Sequence, residues 1–411
     1  MANRIWVVSE LYYPEETSTG HFLTRIAEGL ATRFSVRVLC GQPGYSERGI
    51  RAPKREFHNG VVIRRCSATT ADNNLLFFKM LNTITITISI FWSALQLFNR
   101  ADLVFVVTNP PLLPFAIMLA SRLRGANYAM IVHDVYPEVL VAAGMLRPGS
   151  TPVRLLNWLN VLLYRGAAQI LSLGRDMRTQ ILQKLHGGSN RVTIVPNWAD
   201  LDEIYPSSAT HNKLLNTLGL NDKFVIQYSG NIGRTHGVEC LLQAAEQLKD
   251  NKRIHFLFIV SGAKRQWLES FVQDKRLDNV TILPRRTRKE LQDSLNACDL
   301  AVISLLPGMA GVSVPSRMYN ILAAGKPILA VTEGHSEVSL VVQEEQVGWV
   351  VEPDRPDKIS TAILEASKHP EVLTAMGKRA RCAAERKYTL AHVIDAYTAI
   401  TEEILKNSCQ R

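Results

Sequence analysis

Short apolar runs bounded by turn residues recur along this chain, at residues 5–9, 36–40, 103–107, 129–133, 170–172 and 193–195, with helix-length segments between most of them. Beyond residue 200 the alternation starts again, at 224–228, 256–260, 280–283, 300–304, 328–331 and 349–351. Strands alternating with helices predict an α/β architecture with parallel sheets, and the restart predicts two such domains. A chain of 411 residues is too long for one ordinary core and suits two domains of about 200 residues each. The Pro, Asn, Asp and Ser residues of VPNWADLDEIYPSS, residues 195–208, mark the join. The expected division is residues 1–200, residues 201–388, and a terminal helix within 389–411 that packs back on the first domain. Two such domains leave a cleft between the carboxyl ends of their strands, where ligands bind in open α/β sheets.

Composition narrows the class. With 46% hydrophobic and 20% charged residues and no low-complexity tract, the chain reads as globular. Its six cysteines, Cys40, Cys66, Cys240, Cys298, Cys382 and Cys409, lie far apart with no C-x-x-C pair and no Cys/His cluster. That pattern favours a reducing cytosol and gives no support for a structural zinc. At the start, MANRIWVVSELYYPEE has an apolar run that stops before Glu10, the mark of a first strand rather than a signal peptide.

The net charge of +10 is unevenly placed: residues 1–200 hold 21 Lys and Arg against 12 Asp and Glu, the remainder 26 against 25. A basic half beside a neutral one points to an anionic partner, either an acidic membrane surface, nucleic acid or the phosphates of a smaller ligand. Nucleic acid is the weaker choice, because zinc-finger spacing, an aromatic-rich RNP-like strand and long Lys/Arg blocks are all missing. One segment stands apart. Residues 75–98, LLFFKMLNTITITISIFWSALQLF, carry a single charge, Lys79. Phe77, Leu81, Ile84, Ile88, Phe91, Leu95 and Phe98 keep helical spacing, while Ile86, Ile90, Trp92 and Leu97 make the other face apolar too. A helix apolar almost all round is either a buried core helix or one that dips into a membrane. Its Thr and Ser content and its place within an α/β pattern argue against a full span.

Two loops in the second half have the composition of an anion cradle. LPGMAGVSVPSR leads into a helix expected from Pro315, with Gly308 and Gly311 for flexibility, Ser313 or Ser316 as cap and Arg317 in the first turn. The start of such a helix offers unpaired N–H groups and positive dipole to an anion, a diphosphate among them. YSGNIGRTHG, residues 228–237, follows a strand and precedes a helix; Gly230, Gly233 and Gly237 permit a tight backbone, and Arg234 and His236 add donors. Taken singly, each is also consistent with an ordinary tight turn; two in one domain strengthen the phosphate reading.

These stretches, with HDVYPE upstream at residues 133–138, resemble the family 4 glycosyltransferases of GT-B fold, above all the bacterial subgroup that builds capsular, O-antigen and exopolysaccharide repeat units. The resemblance covers nearly the whole chain. It implies two Rossmann-like, doubly wound parallel-sheet domains facing across a cleft, and a retaining, metal-free transfer of a hexosyl or N-acetylhexosaminyl group from a UDP-sugar. The acceptor it implies is a saccharide on a polyprenyl diphosphate, the place of work the inner face of the cell membrane, with no separate cofactor and no nucleic acid. In the family two glutamates eight positions apart flank the donor; here they fall on Val312 and Asn320, so Gly311, Val312 and Ser313 are expected to act through backbone amides and Asn320 on the ribose. The family's Arg and Lys for the diphosphate fall on Asn231 and His236, with Arg234 and Arg317 as substitutes. Arg285 and Arg286 of LPRRTRKE are expected by the nucleotide base. In the first domain Glu15, Glu16, Thr19 and Gly20 of PEETSTG and Glu138 form the acceptor-side loop, and His133 the contact to the transferred sugar. Two other readings stay open: a UDP-sugar 2-epimerase of the same architecture, and a non-catalytic scaffold of an assembly complex.

Overall fold

A computed structural model describes residues 4–44, 51–69, 76–187, 190–208 and 212–409. The chain divides into two compact units: Met1–Pro137 with Pro148–Pro196 and Ala391–Arg411, and Glu138–Arg147 with Asn197–Leu390. The segment Glu138–Arg147 thus joins the second unit although it lies within the stretch read from sequence as the first domain.

In unit 1 the strands are β1 (Arg4–Val8), β2 (Ser35–Cys40), β3 (Arg55–His58), β4 (Val61–Arg65), β5 (Leu103–Val107), β6 (Asn127–Val132), β7 (Gln169–Ser172) and β8 (Val192–Ile194). They form one sheet in the order β3-β4-β2-β1-β5-β6-β7-β8, parallel except for β3 against β4. β5, at the centre, is apolar throughout and fully buried, and its neighbours β1 and β6 are so after their first residue, as a sheet covered on both faces requires. The expected apolar runs all lie in strands, give or take a residue or two. The β3–β4 hairpin was not anticipated, because REFH is polar; its turn is Asn59-Gly60, both at positive φ, 44° and 82°. The principal helices are α1 (Ser18–Ala31), α2 (Leu76–Leu97), α3 (Leu113–Arg124) and α5 (Thr151–Gly166), the short α4 (Glu138–Ala142) belonging to unit 2. The helix Leu390–Cys409 packs within unit 1: Tyr397 lies edge-on to Phe105 at 5.7 Å, and Asn127 Nδ2 donates to Ser408 Oγ at 2.8 Å.

The segment at 75–98 is a helix, as its 3.6-residue period predicts; Leu75 itself lies outside the described residues. It is not a fully buried core helix, and by length and composition alone Met80–Leu97 would suffice to cross a membrane. Ile86, Ile90 and Ala94 are buried within the unit, whereas Phe77, Met80, Leu81, Ile84, Ile88 and Trp92 are exposed.

Unit 2 holds β9 (Phe224–Asn231), β10 (Ile254–Ser261), β11 (Val280–Pro284), β12 (Leu300–Ser304), β13 (Ile328–Val331) and β14 (Gly348–Val351), all parallel, in the order β11-β10-β9-β12-β13-β14. The order runs outward one way from β9 and the other way from β12. The loops after β9 and β12 therefore leave the sheet at its topological switch point, where open α/β sheets leave room for a ligand.

Candidate functional site

Because β9 and β12 are neighbours, the two glycine-rich loops of unit 2 lie side by side. Leu306 N donates to Thr235 O at 3.2 Å, and Ser304 Oγ donates to Gly237 O at 2.6 Å. Gly230 has φ +145°, and a Cβ there would sit 3.0–3.2 Å from the Arg317 guanidinium. Only glycine lets the guanidinium lie against this strand end. Arg317 also stands over the ring of buried Tyr228, 4.7 Å from its centroid, and its Nη1 is buried without a hydrogen-bond partner among the described residues. A buried guanidinium N–H gains stability from an acceptor, so this atom is able to bond an incoming anion. The motif reading anticipated Arg317 but not the ring of Tyr228 that holds it.

His236 shares the same corner. Gly233 N donates to its Nδ1 at 3.3 Å. Burial first, then the charges of Arg317 and Lys264, pull the imidazole down to about 3, so the ring is neutral at neutral pH. Lys264, missed by the sequence reading, is anchored here by Glu239 at 2.6 Å and His236 O at 3.2 Å. Its signal was the glycine two residues before it: Gly262 has φ +112°, and a Cβ on it would meet Asn231 Oδ1 at 2.2 Å. Asn231 is exposed at the end of β9, and Arg234 is exposed on the loop.

Other expected donor residues are placed differently. The helix starts at Arg317, with Ser316 as its cap and no side-chain capping bond, so Pro315 and Ser316 precede the helix rather than form its first turn. Val312 is a core residue, packed with Leu305 and Met309 against Val139 and Ala142. Its N–H is given to Met309 O at 3.1 Å, so Val312 has no amide to offer a ligand. The same loop is held from Glu333, whose carboxylate accepts from Gly308 N at 2.6 Å and Ala310 N at 3.1 Å. Gly311 is buried and Ser313 half-buried. Asn320 Oδ1 accepts from Asp200 N at 3.2 Å, which engages one lone pair of the expected ribose contact at the join. Asp200 belongs to the chain's Asp-x-Asp triplet with Asp202, but its carboxylate faces Arg288 at 3.3 Å. Arg285 is exposed after β11, and Arg286 pairs with Glu290 at 3.1 Å.

In unit 1, β1 and β5 straddle the corresponding switch point. Thr17 caps α1 by accepting from Gly20 N at 3.2 Å, and a Cβ on Gly20 would meet Glu15 O at 2.6 Å. Glu15 is buried and its Oε2 accepts from Gly44 N at 2.8 Å; it braces the loop rather than facing solvent, whereas Glu16 is exposed and Thr19 half-buried. His133 follows β6. Thr108 Oγ1 accepts from His133 N at 3.1 Å and Asp134 N at 3.2 Å, which sets the turn. Burial pulls the His133 imidazole down to about 4, so it too is neutral at neutral pH. Glu138, the first residue of α4, is part of unit 2 and not of the acceptor-side loop's unit.

Comparison with known proteins agrees with this geometry. Residues 19–198 match the glycosyl transferase 4-like domain and residues 212–382 the glycosyl transferases group 1 family. A probable glycosyltransferase, WbjE of Pseudomonas aeruginosa, is 30% identical over 98% of this chain and 99% of its own. The putative colanic acid biosynthesis glycosyl transferase WcaI of Escherichia coli K12 is 24% identical over 95% of this chain and 99% of its own. The crystal structure of HepE from Anabaena in complex with UDP superposes with a TM-score of 0.73 at 14% identity, covering 98% of this chain and all of that one, and shares the GT-B fold. A 4-like domain followed by a group 1 domain, both matched along their lengths by full-length relatives, means that this chain belongs to the family 4 type of glycosyltransferases.

Proposed function

We propose that this glycosyltransferase moves a sugar from a UDP-sugar to a saccharide carried on a polyprenyl diphosphate, in the building of a bacterial surface polysaccharide. The observation that carries the donor half is the guanidinium of Arg317, held by Tyr228 against Gly230 with an N–H left unpartnered beside neutral His236. That corner suits a diphosphate: a guanidinium fixed on an aromatic ring, a second cation in Lys264 that Glu239 anchors, and a glycine strand end that admits close approach. HepE binds UDP on the same fold, and WcaI is named for colanic acid biosynthesis; both support the reading.

The transfer is read as retaining, by front-face substitution. The bond from the anomeric carbon to the UDP oxygen breaks while the acceptor oxygen forms its bond on the same face. The departing phosphate takes the acceptor proton, and Arg317 stabilises the charge that develops on it. His133, neutral and able to donate or accept, is assigned a hydroxyl of the transferred sugar. A lipid-linked acceptor places the protein at the inner face of the membrane.

The test is calorimetric binding of UDP, GDP and ADP to the intact protein, followed by UDP release from candidate donors in the presence of polyprenyl-linked acceptors. Selective UDP binding and acceptor-dependent release support the proposal. A nucleotide sugar altered without acceptor would mean an epimerase, and no binding of any nucleotide would leave the scaffold.

A further inference from the structure

The strands β1, β2, β4 and β3 of unit 1 present four arginines on one face, Arg4, Arg37, Arg64 and Arg55, with Arg55 directly opposite Arg64 and the others diagonal to one another. Arg4 is neutralised by Asp102 at 2.8 Å. Arg37, Arg55 and Arg64 have no acidic partner among the described residues, and the Nε atoms of Arg37 and Arg64 are buried without a hydrogen-bond acceptor. Arg64 is pulled below the usual guanidinium range by partial burial and then by Arg55, Arg37 and Arg4, which shows how closely the like charges are packed. Beside them on the same face Phe57 is 72% exposed and Val62 is exposed.

This face continues into α2. Arg4 Nη2 donates to Leu97 O at 3.1 Å, Trp6 meets Phe98 at 5.4 Å, and Arg4 and Arg37 each stand over the Trp6 ring at 5.8 Å. On α2 the exposed residues Phe77, Leu81, Ile84, Ile88 and Trp92 form a single outward stripe about 22 Å long. α3 packs on α2 and α5 on α3, and these neighbours also expose Leu119, Leu123, Leu155 and Trp158. Together these three helices contain no Asp or Glu, yet carry Lys79, Arg122, Arg124, Arg154 and Arg165.

We infer that this face of unit 1 is a monotopic membrane-docking surface, with the α2 stripe entering the acyl boundary of an anionic bilayer and Arg37, Arg55 and Arg64 bonding lipid phosphates. The two halves are independent observations that converge: an apolar stripe calls for a non-aqueous cover, and an unneutralised arginine cluster calls for anions. A second copy of the chain is a poor occupant. Isologous pairing would set the same acid-free patch against itself, arginine on arginine. The inference rests on the reading of a membrane-borne acceptor, and it assigns the residues that would meet that membrane.

The experiment is co-sedimentation of the full chain with phosphatidylcholine vesicles, with and without about 30% phosphatidylglycerol, at low and high salt. Wild type is expected to prefer the anionic vesicles and to retain a salt-resistant fraction. The triple variant Arg37→Ala/Arg55→Ala/Arg64→Ala is expected to lose about a hundredfold of its partition. The stripe variant Ile84→Ser/Ile88→Ser/Trp92→Ser is expected to lose the salt-resistant fraction. Wild type that ignores anionic vesicles, an arginine variant that partitions like wild type, or concentration-dependent self-association without vesicle binding would each overturn the inference. UDP binding measured on the same samples separates the two proposals: vesicle binding without nucleotide binding sustains this one and sinks the donor reading.

Discussion

Replacing Arg317 by alanine removes the guanidinium that lies against the end of β9. The guanidinium is fixed by the Tyr228 ring at 4.7 Å and by the open Cα of Gly230, so little ordering remains when an anion binds. A charge-assisted hydrogen bond contributes about 1.5–3 kcal/mol net, which places the loss of UDP affinity in Arg317→Ala at about 10- to 150-fold. Arg317→Lys keeps the charge but not the fork, and is expected to fall between. Gly230→Ala sets a methyl group 3.0–3.2 Å from the guanidinium at φ +145°, and is expected to weaken binding in the same direction without touching the charge. Titration calorimetry with UDP, paired with thermal unfolding of each variant, reads both quantities. The stacking on Tyr228 is itself worth about 0.5–2 kcal/mol, so a lower Tm alone is expected from any role. A folded Arg317→Ala protein with UDP affinity within twofold of wild type would show that the arginine merely packs on the ring, and the argument from its orphaned N–H would fail.

Acidification gives a second handle. His133, His236 and His255 are held at about 4, 3 and 4, chiefly by burial. Below pH 6.5 the unfolded chain takes up protons that the native one refuses, so stability is full above that pH and falls on the way down, by about 1.4 kcal/mol per pH unit for each histidine. Urea unfolding between pH 7 and 5 measures the slope, and His255→Gln is expected to reduce it by one proton's share; an unchanged slope would contradict the assignment. Gly262→Ala forces a side chain into φ +112° and into Asn231 Oδ1, so a loss of about 1–3 kcal/mol of stability is expected, accompanied by weaker UDP binding, both readable by the same methods. Asp102, 2% exposed, accepts from Arg4, Trp6 Nε1 at 2.9 Å and Asn99 N at 2.9 Å. Asp102→Ala leaves those donors stranded and is expected to cost about 3–5 kcal/mol in denaturant unfolding.

Most of the architecture was legible because parallel strands buried on both faces must be written as apolar runs, and that writing survives in any tertiary setting. The β3–β4 hairpin escaped because Arg55 to His58 carry no such run, although Asn59-Gly60 was a sufficient turn signal. On α2 the period gave the helix but not its exposure. Ile86 and Ile84 are equally apolar, and only the position of the sheet decides that one is buried and the other exposed. The grouping of Glu138–Arg147 with unit 2 had no composition signal at all. It follows from Val139 and Ala142 finding their apolar partners in Leu305, Met309 and Val312.

Those same contacts explain why the positions matched to the family's glutamates are built as they are. A motif match sets the order of residues but not the direction in which a side chain turns. Val312 turns inward and closes the small core beneath a loop that Glu333 grips from its amides, while Asn320 uses its oxygen to hold Asp200. Of the two positions where the resemblance expects a glutamate, 312 belongs to the framework and 320 spends one acceptor site on it. A carboxylate at 312 would be buried among Leu305 and Met309 without a hydrogen-bonding partner, an arrangement that costs several kcal/mol or forces the group to stay protonated. In the proposed donor reading the diphosphate therefore meets Gly230 and the guanidinium of Arg317 held by Tyr228, rather than residues 312 and 320.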